Sequence, residues 1–214
     1  MGGEPSLPES LSAYRVRPID VVLTPSLSFR LFEVKNQPDR YWSKIWPAAV
    51  ATSQWLLQGP RISASTPIKE LGCGPALVSL TLAHLGYEVE ASDREPGALA
   101  LAALNIEQSG LRGISVRFLD WAITEASPSD FLVGSDILYE PDSPPVLFEL
   151  IESRGLLLPG GKLVLSASEA RRHVVYELVH RLKASGYTHE ETFREVSFRG
   201  RTEQISISAL GRPA

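Results

Sequence analysis

The chain has 214 residues, 43% of them hydrophobic and 21% charged, with a formal net charge of −4 and a pI near 5.6. That size suggests one domain with a full core, and the acidic balance argues against a broad phosphate-binding surface. One cysteine excludes an internal disulfide or a multi-cysteine zinc site, and no apolar stretch approaches the length of a membrane span. The start, Met1-Gly2-Gly3-Glu4-Pro5-Ser6, lacks the basic and apolar regions of a signal peptide. It fits the loose myristoylation pattern, but no polybasic second signal follows. A soluble, cytoplasmic protein is the expectation.

Residues 1–13, rich in Gly, Pro, Ser and Glu, read as a disordered tail, and 14–214 as one domain. Alternating segments around Tyr14-Arg15-Val16-Arg17 and Ser28-Phe29-Arg30-Leu31-Phe32 read as a hairpin or edge strands. A helix over about 47–58, opened by Pro47 and ended by Gly59-Pro60, completes an N-terminal cover spanning 14–58. Strands are expected near 67–71, 88–92, 114–119, 131–138 and 161–167. Helices are expected near 76–85, 96–109, 144–155 and 169–185. Two further strands, Thr192 to Phe198 and Thr202 to Leu210, flank Arg199-Gly200-Arg201 and form an antiparallel hairpin. The fold class that follows is α/β: a Rossmann-like, mostly parallel seven-stranded sheet with helices on both faces and a C-terminal hairpin.

The most informative run is Ile68-Lys69-Glu70-Leu71-Gly72-Cys73-Gly74-Pro75-Ala76-Leu77. An apolar strand enters a glycine turn and a helix starts at once, an arrangement that brings backbone N–H groups to a ligand. Leu77 stands where a dinucleotide fingerprint would have its third glycine. Asp93 ends the next apolar run, where an acidic side chain commonly holds ribose hydroxyls.

Glu70-Leu71-Gly72-Cys73-Gly74-Pro75 resembles motif I of the seven-strand methyltransferases that use S-adenosylmethionine. Three further pieces resemble one subgroup, rich in protein-lysine methyltransferases. They are Tyr41-Trp42-Ser43-Lys44-Ile45-Trp46-Pro47-Ala48-Ala49, which resembles a W-P-A-A entry, Leu119-Asp120-Trp121, and the D-x-x-Y motif Asp136-Ile137-Leu138-Tyr139. The resemblance covers roughly residues 28–210. It implies transfer of a methyl group from S-adenosylmethionine to a nitrogen acceptor, a protein lysine first. It also implies cofactor contacts at Trp46, Glu70, Gly72, Cys73, Gly74, Asp93, Asp120, Trp121 and Ser135. Asp136 and Tyr139 would orient the acceptor amine. No metal is implied, and a monomer with a protein substrate is expected.

Other readings of the same residues stand beside these. Asp93 would also cap the following helix, Asp120 would cap a short helix over Trp121 to Glu125, and Trp46 would be plain core. Tyr139 would cover a strand end, and Cys73 would be a small filler. His84, His173, His180 and His189 read as surface or packing residues, and Arg171-Arg172, Arg199 and Arg201 as solvated. Rival functions are methylation of a small metabolite, a catalytically silent cofactor-binding module, a nucleic-acid methyltransferase and a nicotinamide-dependent oxidoreductase. Ile137-Leu138, in place of a proline pair, counts against the nucleic-acid reading; Leu77 and the hairpin count against the oxidoreductase.

Overall fold

The computed structural model describes residues 11–37, 39–59, 62 and 66–214. The expected tail to residue 10 and Pro60 therefore lie outside the described residues. Leu11 does not: it is buried against Val34, Trp42, Leu101 and Leu104.

Strands β1 (Val16–Thr24) and β2 (Leu27–Val34) pair antiparallel as a separate two-stranded sheet. A 3-10 turn over Tyr41–Ser43 leads into helix α1 (Pro47–Gln58). Strand and helix then alternate: β3 (Ile68–Leu71), α2 (Leu77–His84), β4 (Val89–Asp93), α3 (Pro96–Ser109), β5 (Ile114–Phe118), β6 (Ser129–Ser135), α4 (Ser143–Glu152), β7 (Leu157–Ser168) and α5 (Arg172–Ala184). The chain closes with β8 (Thr188–Phe198) and β9 (Arg201–Gly211). The main sheet has seven strands in the order β5-β4-β3-β6-β7-β9-β8. The first five run parallel; β9 is antiparallel to both β7 and β8. The predicted fold class is the observed one.

The boundaries shift for local reasons. The strand expected to reach residue 138 ends at Ser135, because Asp136 turns into the left-handed region at φ 59°. The helix expected to reach 155 stops at Glu152; the N–H groups of Ser153 and Arg154 both reach the Glu149 carbonyl, and Gly155 follows at φ 67°. The last helix begins with a 3-10 turn over Glu169–Arg171. Arg199 and Gly200, both at positive φ, make the hairpin turn, a backbone that matches strand twist.

Two apolar layers sandwich the sheet. On one face α1, α2 and the β1–β2 hairpin bury Val21, Leu31, Val50 and Leu80 with Val133 and Ile207. On the other, α4 and α5 bury Leu147, Ile151, Leu178 and Leu182 against Leu71, Leu132 and Leu163. Each fully buried leucine contributes about 1.5–3 kcal/mol relative to exposure. Among the described residues no helix is long and apolar enough to cross a membrane. The switch in strand order between β3 and β6 leaves the carboxyl ends of β3, β4 and β6 facing one crevice, where ligands of such sheets collect.

Candidate functional site

The crevice holds a cavity of about 660 Å³, and all eleven side chains and loop positions singled out in the sequence line it. At its floor the β3–α2 turn passes through Gly72 (φ 64°) and Gly74 (φ 47°). A Cβ at Gly72 would stand 2.7 Å from Ile137 Cγ2, and one at Gly74 3.3 Å from the Trp42 carbonyl. The turn is tied to β4 twice. Cys73 N–H donates to the Ser92 carbonyl at 2.8 Å, and Gly74 N–H to Asp93 Oδ2 at 3.1 Å. Asp93 Oδ1 accepts from the Glu95 N–H at 3.0 Å, so the carboxylate bridges the glycine turn and the start of α3. Its two oxygens keep lone pairs for a ligand. Burial pushes its pKa up, against which the Glu95 and Gly74 N–H groups work. Cys73 is buried with Ala76, Ala91 and Ala102. Burial raises its thiol well above the ordinary range, which is the state of an inert filler.

Glu70 turns beneath α2, where Oε2 accepts the Ser79 N–H at 2.9 Å and the Ser79 hydroxyl. It therefore braces the loop. Burial pushes its carboxyl up to about 8 from 4.5, with the two Ser79 bonds opposing. An acid raised in the folded state stabilises fully below its unfolded pKa and loses that contribution as pH climbs to the folded one. The melting temperature of Glu70→Gln minus that of wild type should therefore rise between pH 5 and pH 8.5, reflecting a free-energy change on the order of a few kcal/mol. A difference independent of pH would show that Glu70 does not titrate in this window.

At the mouth, Asp136 is 8% exposed and sits after β6. Its Oδ2 accepts from Arg171 Nη1 at 2.7 Å. Among the described residues Oδ1 is a buried oxygen with no hydrogen bond of normal geometry. Burial raises its pKa; the Arg171 charge and the Ser168 N–H oppose that, and Glu203 adds to it. Three rings stand beside this carboxylate. Tyr41 and Tyr139 have centroids 4.4 Å apart, Tyr41 and Trp46 5.9 Å, and Trp46 Nε1–H donates to the Tyr41 carbonyl at 2.7 Å. Burial raises the Tyr139 phenol. The Arg171 guanidinium lies 4.9 Å from the Trp46 ring and 5.3 Å from Tyr41, and Lys44 Nζ is 4.2 Å from Trp46.

The remaining candidates lie along the walls. Asp120 Oδ1 accepts from the Ala122 N–H at 2.9 Å, closing a turn rather than capping a helix. Trp121 packs against the α4–α5 core, and its carbonyl accepts from Arg154. Ser135 donates to Thr52 on α1 at 3.0 Å, and Thr52 pairs with Ser166 at 2.6 Å.

Sequence reasoning gave Tyr41 and Lys44 no role although they stand in the motif that ends at Ala49, and it read Arg171 as solvated. Arg171 and Arg172 are not a solvated pair: Arg171 holds Asp136, and Arg172 pairs with Glu191 and Tyr176. Arg199 is not a free turn residue either, since it reaches the buried Glu33, which also accepts the Ile45 N–H. No local signal in the sequence marks the acidic partners of these arginines, which lie 35, 19 and 166 residues away along the chain for Arg171, Arg172 and Arg199.

Residues 31–184 match the model of a family described as lysine methyltransferase. The chain is 35% identical over 114 residues to protein N-lysine methyltransferase METTL21A of Xenopus tropicalis, covering 49% of this chain and 51% of that one. It is 28% identical over 130 residues to the electron transfer flavoprotein beta subunit lysine methyltransferase of Danio rerio, covering 55% and 50%. The chain thus spans about half the length of the curated relatives it matches. In fold it is similar to the ribosomal protein L11 methylase of Lactobacillus delbrueckii subsp. bulgaricus, with a TM-score of 0.61 at 14% identity over 91% of this chain and 99% of that one.

Proposed function

The chain belongs to the lysine methyltransferase family, and from that premise we propose that it transfers a methyl group from S-adenosylmethionine to a protein lysine side chain. The observation that carries this reading is the junction, in one cavity, of a glycine cradle next to Asp93 with the Asp136 carboxylate and the aromatic rings of Tyr41, Trp46 and Tyr139. The residues fit the cofactor. A Cβ would fill the cradle at Gly72, and Asp93 has acceptor capacity left after its two backbone contacts. The buried Trp42 Nε1, on the same cavity wall, has no hydrogen-bond partner among the described residues.

Gly72, Cys73 and Gly74 would hold the methionine part, with Trp46, Glu70 and Ser135 beside it. Asp93 would hold the ribose, and Asp120 and Trp121 the adenine. When bound, the cofactor supplies an electrophilic methyl on a sulfonium. The chain supplies alignment and charge. Alignment alone can be worth about 7–11 kcal/mol of the barrier. A free lysine, with a pKa near 10.4, must arrive or become neutral to attack. Asp136 would take a hydrogen bond from the amine and balance its growing positive charge, while Tyr139 and Tyr41 confine it against ring faces. The acidic net charge supports a protein rather than a nucleic-acid partner. We place the reaction in the cytoplasm, carried out by a monomer.

The test is transfer of labelled methyl from S-adenosylmethionine into a cell lysate, followed by protease or nuclease digestion. Label that survives nuclease and is lost to protease is the expected result. Label in small molecules would favour a metabolite acceptor, and no label would favour a silent binding module. S-adenosylhomocysteine should raise the melting temperature, whereas NAD should not.

A further inference from the structure

Among the described residues Arg171 is the one cation that meets both the Asp136 carboxylate and the rings of the mouth. It comes from the 3-10 turn after β7, 35 residues beyond its partner. Its Nη1 takes only Oδ2 of Asp136, and its guanidinium lies near Trp46 and Tyr41. A carboxylate this buried is costly to keep charged without a counter-charge. Of the groups acting on it, Glu203 on β9 is repulsive, while the Ser168 N–H at the end of β7 and Arg171 are attractive. Arg171 is the only full positive charge among them. Building on the methyl-transfer reading, we propose that Arg171 is the positioning residue of the acceptor subsite: it keeps Asp136 charged and in one rotamer, so that the carboxylate is held in place for the incoming amine. The same guanidinium lies against the Tyr41 and Trp46 rings, so one side chain ties the carboxylate to the aromatic side of the mouth before the amine arrives.

The test begins with the full chain free of ligand. The 13C shift of the Asp136 carboxyl, assigned by its loss in Asp136→Asn, is followed against pH in wild type, Arg171→Lys and Arg171→Met. The midpoint should move up by about one unit in Arg171→Met and by less in Arg171→Lys. In the lysate assay, Arg171→Ala should lose roughly tenfold to a hundredfold in transfer, regain part of it with millimolar guanidinium, and respond to S-adenosylhomocysteine as wild type does. A midpoint that stays put, or full transfer by Arg171→Ala, overturns the role of Arg171 while wild-type transfer still stands. Guanidinium that inhibits Arg171→Ala instead of restoring it also overturns it, since Arg171 would then be blocking the amine's place. A wild type that labels no protein at all overturns the methyl-transfer reading itself.

Discussion

Asp136→Asn should lower methyl transfer at least about a hundredfold while leaving the stabilisation by S-adenosylhomocysteine intact. The substitution keeps the shape and removes the charge. Asp136 stands at φ 59°, a conformation asparagine tolerates as readily as aspartate. Its backbone N–H donates to the Ser166 carbonyl at 2.7 Å, a bond the variant keeps. The backbone at the mouth is therefore preserved, and the loss falls on the acceptor's charge partner. Rates with one fixed acceptor, paired with melting curves with and without S-adenosylhomocysteine, separate the two effects. Near wild-type transfer by this variant would remove Asp136 from the chemistry. Loss of the ligand-induced stabilisation would move it into cofactor binding.

Gly72→Ala should abolish the response to S-adenosylhomocysteine and destabilise the fold by roughly 2–4 kcal/mol. That combines left-handed strain of about 1–2 kcal/mol with the cost of overpacking. The φ of 64° supplies the first cost, and the approach of the new Cβ to Ile137 Cγ2 at 2.7 Å supplies the second. Relief requires Ile137 or the turn to move, and both belong to the cavity wall. For a chain of this size the melting temperature should fall by roughly 5–10 °C. Gly86→Ala is the control. Gly86 has φ 90° and nothing within 4 Å of an added Cβ, so it carries backbone strain alone and should keep the ligand response. Equal responses in the two variants would show that the cradle at Gly72 is not where the cofactor binds.

The arginines show why part of the site is invisible in a linear reading. The turn after β6 and the turn after β7 lie side by side because the two strands pair in parallel, with Ser135 opposite Ser166. That register brings Arg171 onto Asp136. Likewise the β8–β9 turn folds back so that Arg199 meets Glu33, which is 166 residues away. The aromatic wall has the same origin, since Tyr41 and Trp46 enter from the N-terminal cover and Tyr139 from the loop after β6.

By itself the sequence determined the order of strands and helices, the closing hairpin, the glycine turn and the acid after the second parallel strand. Each of these is a local property: apolar period, proline and glycine placement, and the residue ending an apolar run. Only the tertiary structure decided which charges meet. It placed Glu70 under α2 rather than in the open and gave Asp93 two backbone donors. It also put Arg171 between a buried carboxylate and two rings. The reason is physical: a charge's partner depends on sheet register and burial, and neither is written in the spacing of neighbouring residues.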